Sequence, residues 1–373
     1  MPTLKALWKP LSGLNELQRS SHALAVHGGK GFLFGGELKP RTPVDATVTE
    51  LNLETNSFSR ALSPPSPASA APTSPWPIPR VGHTFVSGGN GKLYLWGGRG
   101  GKDMSTVSGE ASIWAFEPVK GEWEELQTKG EMQGEWEELQ TKGEMPEARS
   151  FHTIAALDGT LYLHAGCPAS GRLSTLHSLD LTTLTWTSLP SAPSPGRGGT
   201  VLTSLPSSTS TSSLLARFGG FAGYELGGLD IFDVEKGEWS TPEVGVEGGG
   251  DGPGKRSVHA LIGLSGEVEW EGKRVVAVLA MGEREGAPKE LGHDGAGFFH
   301  SDAWALLSTP TTSASPSLSW LRLEPSSASE GTPEARGWFA SAYASGNKIV
   351  LQGGLNAKNE RLEDGWTLEV VLE

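Results

Sequence analysis

The chain has 373 residues, with 51 glycines, 25 prolines, one cysteine and a formal net charge of −13. That balance argues against non-specific nucleic-acid binding and against docking on an anionic membrane surface. Cys167 alone allows no intrachain disulfide, and the sequence has neither an apolar signal core nor an apolar run of roughly 20 residues. A cytoplasmic protein without a membrane span is expected.

The first predicted element is a short strand, Leu4-Lys-Ala-Leu-Trp8. After it, six strand starts recur: Arg19-Ser-Ser-His22, Arg80-Val-Gly-His83, Arg149-Ser-Phe-His152, Arg197-Gly-Gly-Thr200, Arg256-Ser-Val-His259 and Arg336-Gly-Trp-Phe339. Each leads into a short apolar run that stops at a glycine pair or near-pair: Gly35-Gly36, Gly97-Gly98, Ala165-Gly166, Gly219-Gly220, Met281-Gly282 and Gly353-Gly354. The stops recur at intervals of 54 to 72 residues, somewhat above the roughly 50 of one four-stranded propeller blade. A variable loop follows each stop, then a third strand such as Ala111-Ser-Ile-Trp-Ala-Phe116 or Leu176-His-Ser-Leu-Asp-Leu181. A fourth strand then carries an aromatic: Phe58, Trp123, Trp186, Trp239 and Trp320. The sixth aromatic is missing after Leu368-Glu-Val-Val371 and is supplied by Trp8. The pattern predicts an all-β chain folded as one six-bladed β-propeller, its last blade closed by the N-terminal strand. The blades fall at approximately 14–60, 75–145, 146–190, 192–242, 254–324 and 332–371 plus 3–10. No long 3.6-residue periodicity and no Trp-Asp dipeptide compete with this reading.

The connectors are uneven. Residues 61–79 form a Pro/Ser/Ala linker, and 207–213, 244–254 and 308–318 are loop-like. The segment Gly121 to Met132 recurs letter for letter as Gly134 to Met145, so either Trp123 or Trp136 can fill the aromatic position of blade 2. We read this as a local duplication.

Hairpin geometry puts the six arginine starts and the six post-stop loops on the same face. Two readings of the arginines stay open. They can ring the channel mouth and attract a small anion, which guanidinium grips bidentately, or they can bond loop carbonyls as a device of the fold. Arg99 and Arg172 stand apart because they lie in variable loops. The recurring His22, His83, His152 and His259 read as structural. Residues 282–297 break the blade pattern and place Glu283, Glu290, His293 and Asp294 in one loop. Carboxylates beside an imidazole with open positions suit Fe(II) or another first-row divalent ion.

Several motifs follow one another in order: Glu37-Leu-Lys-Pro with Pro43-Val-Asp45, Gly98-Arg99, Arg149-Ser-Phe-His152, Arg172-Leu-Ser-Thr-Leu176 and Arg197-Gly-Gly. They continue with Gly220-Phe-Ala-Gly-Tyr-Glu225, Gly282-Glu283 with Gly292-His293, and Arg336-Gly-Trp338. Together they resemble the kelch-repeat specifier proteins of glucosinolate breakdown, the epithiospecifier, nitrile-specifier and thiocyanate-forming group. That resemblance implies a kelch propeller holding Fe(II), acting on the sulfated aglycone released by myrosinase and diverting it to a nitrile, epithionitrile or thiocyanate. It also implies that Arg99 and Arg172 hold the sulfate, that Phe151 and Trp338 form apolar walls, and that iron polarises the thiolate sulfur. The group's iron motif is Glu-x-x-x-Asp-x-x-x-His. Glu283 and His293 match its ends in a loop two residues longer, while the middle position falls on Ala287 or Lys289, leaving Glu290 or Asp294 as substitutes. The alternative function is a non-catalytic module with a protein partner on a propeller rim. Copper-radical oxidase chemistry is disfavoured by one Cys and four Tyr.

Overall fold

In the computed structural model, the described residues are 2–62, 76–107, 112–118, 135–206, 213–288, 290, 295–309 and 317–373. They form six antiparallel four-stranded blades around one axis. Blade 1 runs Ala23–His27, Lys30–Phe34, Val48–Asn52 and Ser57–Leu62, and the other five repeat its order. The last blade takes its outer strand from the N-terminus. Leu4–Pro10 pairs along its full length with Gly365–Leu372, from Leu4 opposite Leu372 to Pro10 opposite Trp366. The expected ring closure is therefore present. Its cost is small, because two strands pair end to end and Trp8 is buried between sheets.

Burial follows position within the blade. Second strands such as Leu93–Trp96 are buried on both faces because a neighbouring sheet covers each side. Outer strands such as Thr185–Leu189 alternate between buried and exposed. Trp136, from the second copy of the duplicated segment, fills the aromatic position of blade 2. It pairs opposite Phe116 and packs against Phe34, Phe85 and Phe116. The first copy, with Trp123, lies outside the described residues. Phe58 departs from the pattern and is exposed. Ser59 is an extra residue between the pairs Glu50–Arg60 and Leu51–Phe58, and such a bulge turns the following side chains to the opposite face.

Two closed rings of backbone hydrogen bonds join the blades. In the first, the N–H of each second stop glycine donates to the carbonyl of the next blade's arginine: Gly36 to Arg80, Gly98 to Arg149, Gly166 to Arg197, Gly220 to Arg256, Gly282 to Arg336 and Gly354 to Arg19. The first residue of each stop is left-handed, which is why Gly recurs there. The second ring encircles the axis. Gly82 donates to Ser21, Phe151 to Gly82, Gly199 to Phe151, Val258 to Gly199, Trp338 to Val258 and Ser21 to Trp338, at 2.7 to 3.1 Å. All six members have positive φ, including the bulky Phe151, Val258 and Trp338. A left-handed side chain costs about 1–2 kcal/mol at each such residue, which the closed ring and the packed blades offset. Below this belt runs a channel of about 800 Å³ between the innermost strands; above it lies a second cavity.

Candidate functional site

The six repeat arginines do not ring the mouth. They are buried, and each donates from Nη1 to the carbonyl of its own blade's stop, for example Arg80 to Gly97 at 3.2 Å and Arg197 to Gly219 at 2.9 Å. Arg256 and Arg336 also form bidentate pairs with Asp302 and Asp364. The device-of-the-fold reading is correct, because a hairpin carbonyl left unpaired beneath a neighbouring blade would be costly. The histidines share that character. His83, His152 and His259 stand edge-on to Phe34, Trp96 and Phe218 of the preceding blade. Burial pushes His22 and His152 down to about 3, so both are neutral at pH 7.

The upper cavity, of about 500 Å³, is built from equivalent positions of the six blades. The residue after each second stop glycine pairs with the start of its own blade's first strand and faces the cavity. This position is occupied by Glu37, Arg99, Cys167, Phe221, Glu283 and Leu355. One repeat position thus carries five different side-chain types around one opening. The belt residues Ser21, Phe151, Val258 and Trp338 also line the cavity, and the loops add Arg41, Arg172, Glu225 and Arg361.

Around the axis the charges are sorted. Blades 2 and 3 contribute Arg99 and Arg172. Arg99 is held by Ser150 Oγ at 2.9 Å and the Pro168 carbonyl at 2.8 Å, while Arg172 stacks on the Phe221 ring at 4.7 Å. Phe151 and Trp338 meet edge to face at 5.4 Å and form the apolar part of the wall. Blades 4 and 5 contribute Glu225 and Glu283, both buried. Glu225 sits opposite Phe221 in a tight hairpin turned by Ala222 to Tyr224, and Glu283 opens a short strand paired with Phe298–Phe299. Gly297 is required beside it, because a Cβ there would lie 2.2 Å from the Glu285 carbonyl oxygen. Burial and the neighbouring Glu225 push Glu283 up to about 7, and a hydrogen bond from Trp338 partly opposes this. Burial also raises Glu225, whose Oε1 has no hydrogen-bond partner. Glu37, by contrast, has Arg361 at 3.9 Å and accepts from the Arg41 N–H. Cys167 lies between the two arginine loops, its thiol raised by burial and drawn back by Arg172 and Arg99.

Five of the residues assigned a substrate or metal role in the sequence therefore meet in one cavity, Arg99, Arg172, Phe151, Trp338 and Glu283, together with Glu37 and Glu225 of the quoted motifs. Glu290 is exposed and does not line it; His293 lies outside the described residues. No group of three metal-ligating side chains occurs among the described residues. Glu225 and Glu283, buried oxygen donors without an ion pair, fit two ligands of a hard divalent cation. Sequence reasoning missed Arg41 and Arg361. Their signal was position, since both lie five to seven residues beyond a glycine stop, as Arg172 and Glu225 do.

A propeller with this stop-glycine joint and a loop-built axial cavity is a kelch protein. The family described as KLHDC2/KLHL20/DRC7 Kelch-repeats domain matches residues 21–268, and the chain belongs to the kelch-repeat family. More particularly, it is 26% identical over 97% of its length to N-(sulfonatooxy)prop-2-enimidothioate sulfolyase of Thlaspi arvense, covering 96% of that protein. It is also similar to Acyl-CoA-binding domain-containing protein 4 of Arabidopsis thaliana, at 27% identity over 67% of this chain and 34% of that protein. The solved structure of YjhT superposes with a TM-score of 0.61 at 14% identity, covering 96% of this chain and 98% of that one, a likeness of fold. No helix among the described residues is long and apolar enough to cross a membrane.

Proposed function

We propose that the chain is a specifier-type protein that acts on a small sulfated thiohydroximate, of the kind myrosinase releases from a glucosinolate, and directs it to a nitrile or related product. The observation that carries this reading is one cavity lined by two arginines, an aromatic wall and two buried carboxylates, in a chain similar end to end to a sulfolyase. That relative's named substrate carries a sulfate and a thioate sulfur on a short apolar tail. Arg99 and Arg172 fit the sulfate, since guanidinium matches tetrahedral oxyanions in pairs of hydrogen bonds. Phe151 and Trp338 cover the tail and exclude water. Breaking the N–O bond sends its electron pair out on sulfate, where the two guanidinium groups stabilise the growing charge. The C–S pair then becomes the third carbon–nitrogen bond, and the sulfur departs at the zero oxidation level, its two electrons balancing the reductive cleavage of N–O. Fe(II), the cation we expect at Glu283, with His293 as a further candidate ligand, would supply Lewis-acid polarisation of that sulfur when bound.

The test is product analysis of prop-2-enyl glucosinolate plus myrosinase with and without the protein, under added Fe(II). Diversion from isothiocyanate to nitrile, epithionitrile or thiocyanate is expected, falling at least about tenfold in Arg172→Leu. Isothiocyanate alone in every reaction would remove the reading. A rim-docking module is then the better account, favoured by Leu38, Tyr224 and Phe298, which are exposed on loops of this same face.

A further inference from the structure

We propose that Glu225 supplies the second carboxylate of a divalent-cation seat shared with Glu283, bridging blades 4 and 5 in place of the aspartate that the Glu283–His293 loop lacks. The inference rests on the function just proposed, because the seat lies in the same cavity as its arginines, with Arg172 stacked on Phe221, the cross-strand partner of Glu225.

The three cavity carboxylates make the argument. Glu37 is satisfied: Arg361 lies beside it and the Arg41 N–H donates to it. Glu225 and Glu283 are 9% and 8% exposed, and neither forms a salt bridge among the described residues. Glu225 Oε1 is buried without any partner, although four arginines line the same cavity. A buried carboxylate in that condition is expensive unless a positive charge sits against it. The strand beginning at Glu225 packs against Glu283–Glu285, so the two carboxylates line the same cavity from adjacent blades. Arg99 and Arg172 belong to blades 2 and 3 and engage Ser150, Pro168 and Phe221 instead.

The ligand requires the same thing. A substrate with a sulfate and a thioate carries two negative charges. With sulfate at the arginines, the sulfur end would approach Glu225 and Glu283 and be repelled by them. A divalent cation between carboxylates and sulfur reverses that sign. Hard cations are commonly held by one or two carboxylates with water or substrate atoms completing the shell, so a third protein ligand is not required for binding. Glu290, the substitute suggested by chain proximity, is exposed and absent from the cavity wall.

Anaerobic Fe(II) calorimetry and Mn(II) electron paramagnetic resonance on the full chain decide the matter, with Glu225→Gln, Glu283→Gln and Glu290→Gln as variants. One cation per chain is expected, and the first two substitutions should each weaken it at least about tenfold. A second readout guards against misfolding. Metal-free Glu225→Gln should melt above the parent protein, because an unpaired buried charge is gone, and added Mn(II) should raise the melting temperature of the parent and of Glu290→Gln but not of Glu225→Gln. No binding by the parent protein overturns the proposal, since the carboxylates then share a proton instead. So does full binding by Glu225→Gln, or loss of binding in Glu290→Gln with Glu225→Gln intact. Cation binding that needs Glu225 without any product diversion sinks the function alone. Diversion that persists in Glu225→Gln with cation still bound sinks the seat alone.

Discussion

Two sets of arginines share this molecule and behave in opposite ways. Arg19, Arg80, Arg149, Arg197, Arg256 and Arg336 recur with the blade and are buried, bonding the hairpins they belong to. Arg99 and Arg172 occur once each, beyond the stops, and face the axial cavity. In a repeat fold, what recurs serves the joint between units, and what differs at an equivalent position serves the site. The position after the stop makes this plain, because the backbone there is the same in six blades while the side chain runs through Glu, Arg, Cys, Phe, Glu and Leu.

The sharpest way to break the comparison is to remove one arginine from each set. Arg256→Ala leaves Asp302 with only the Trp304 indole and leaves the Met281 carbonyl unpaired, and should cost on the order of 3–5 kcal/mol in urea denaturation. Arg19 makes no hydrogen bond to a carboxylate among the described residues and already carries an unpaired Nε, so Arg19→Ala should cost less, roughly 1–3 kcal/mol. Arg172→Ala should stay within about 0.5 kcal/mol of the parent while losing affinity for the sulfated ligand. Equal destabilisation by Arg172→Ala and Arg256→Ala would erase the distinction.

Trp136 extends the test to the core. It is 2% exposed among Phe34, Phe85 and Phe116, and Trp136→Ala should cost about 3–5 kcal/mol by thermal or urea unfolding. A loss under about 1 kcal/mol would mean that the duplicate segment had supplied a replacement indole. The sequence left the choice between Trp123 and Trp136 open because the two copies are identical, and only tertiary packing separates them.

Much else was legible from periodicity. The six starts and stops name the blades, since a Gly at a left-handed position is a backbone requirement visible in the letters. The N-terminal closure was legible as a missing aromatic. Phe58 was not, because one inserted residue, Ser59, flips the face without altering the composition of the strand. The site was legible where it broke the repeat, at Arg99, Arg172 and Glu283. Glu225 was visible only as a loop acid: nothing in Gly220-Phe-Ala-Gly-Tyr-Glu225 says that the hairpin turns its carboxylate inward and leaves an oxygen unpaired. The arginine positions were correctly grouped, but their direction depends on carbonyls of another strand that a linear reading does not place.

The two carboxylates give the comparison a pH dependence. Glu283 titrates near 7 in the folded chain, above the usual carboxylate value of 4.5, chiefly because burial disfavours its charge. The sign follows from proton counting. Between about pH 4.5 and 7 the folded state holds a proton that the unfolded state has released, so metal-free stability falls as pH rises through this window. Below the window both states are protonated and the contribution vanishes. The loss should be on the order of 2 kcal/mol and should disappear in Glu283→Gln. A parent protein whose urea midpoint stays flat against Glu283→Gln from pH 4.5 to 7.5 would show that this carboxylate is solvated after all.

The smallest effect concerns the joint where the repeat itself departs from its own rule. Gly35, Gly97, Gly219 and Gly353 occupy the first stop position with φ between 60° and 67°, and blade 3 puts Ala165 there at 62°. Ala165 is fully buried, so its methyl is accommodated, but its backbone carries the left-handed penalty that glycine avoids. Ala165→Gly trades that strain, about 1 kcal/mol, against the lost methyl and a more flexible unfolded chain, and should stabilise by at most about 0.5 kcal/mol. The reverse change is asymmetric. A Cβ at Gly97 would lie 2.7 Å from His152 Cε1 and 2.8 Å from the Arg149 carbonyl, which is itself bonded by Gly98 in the interblade ring. Gly97→Ala must therefore move either a buried ring or the joint, and should cost more than about 1–2 kcal/mol. If the two substitutions instead changed stability by equal and opposite amounts, left-handed strain alone would explain the stop glycines. The close approach of the next blade would then have no part in selecting them.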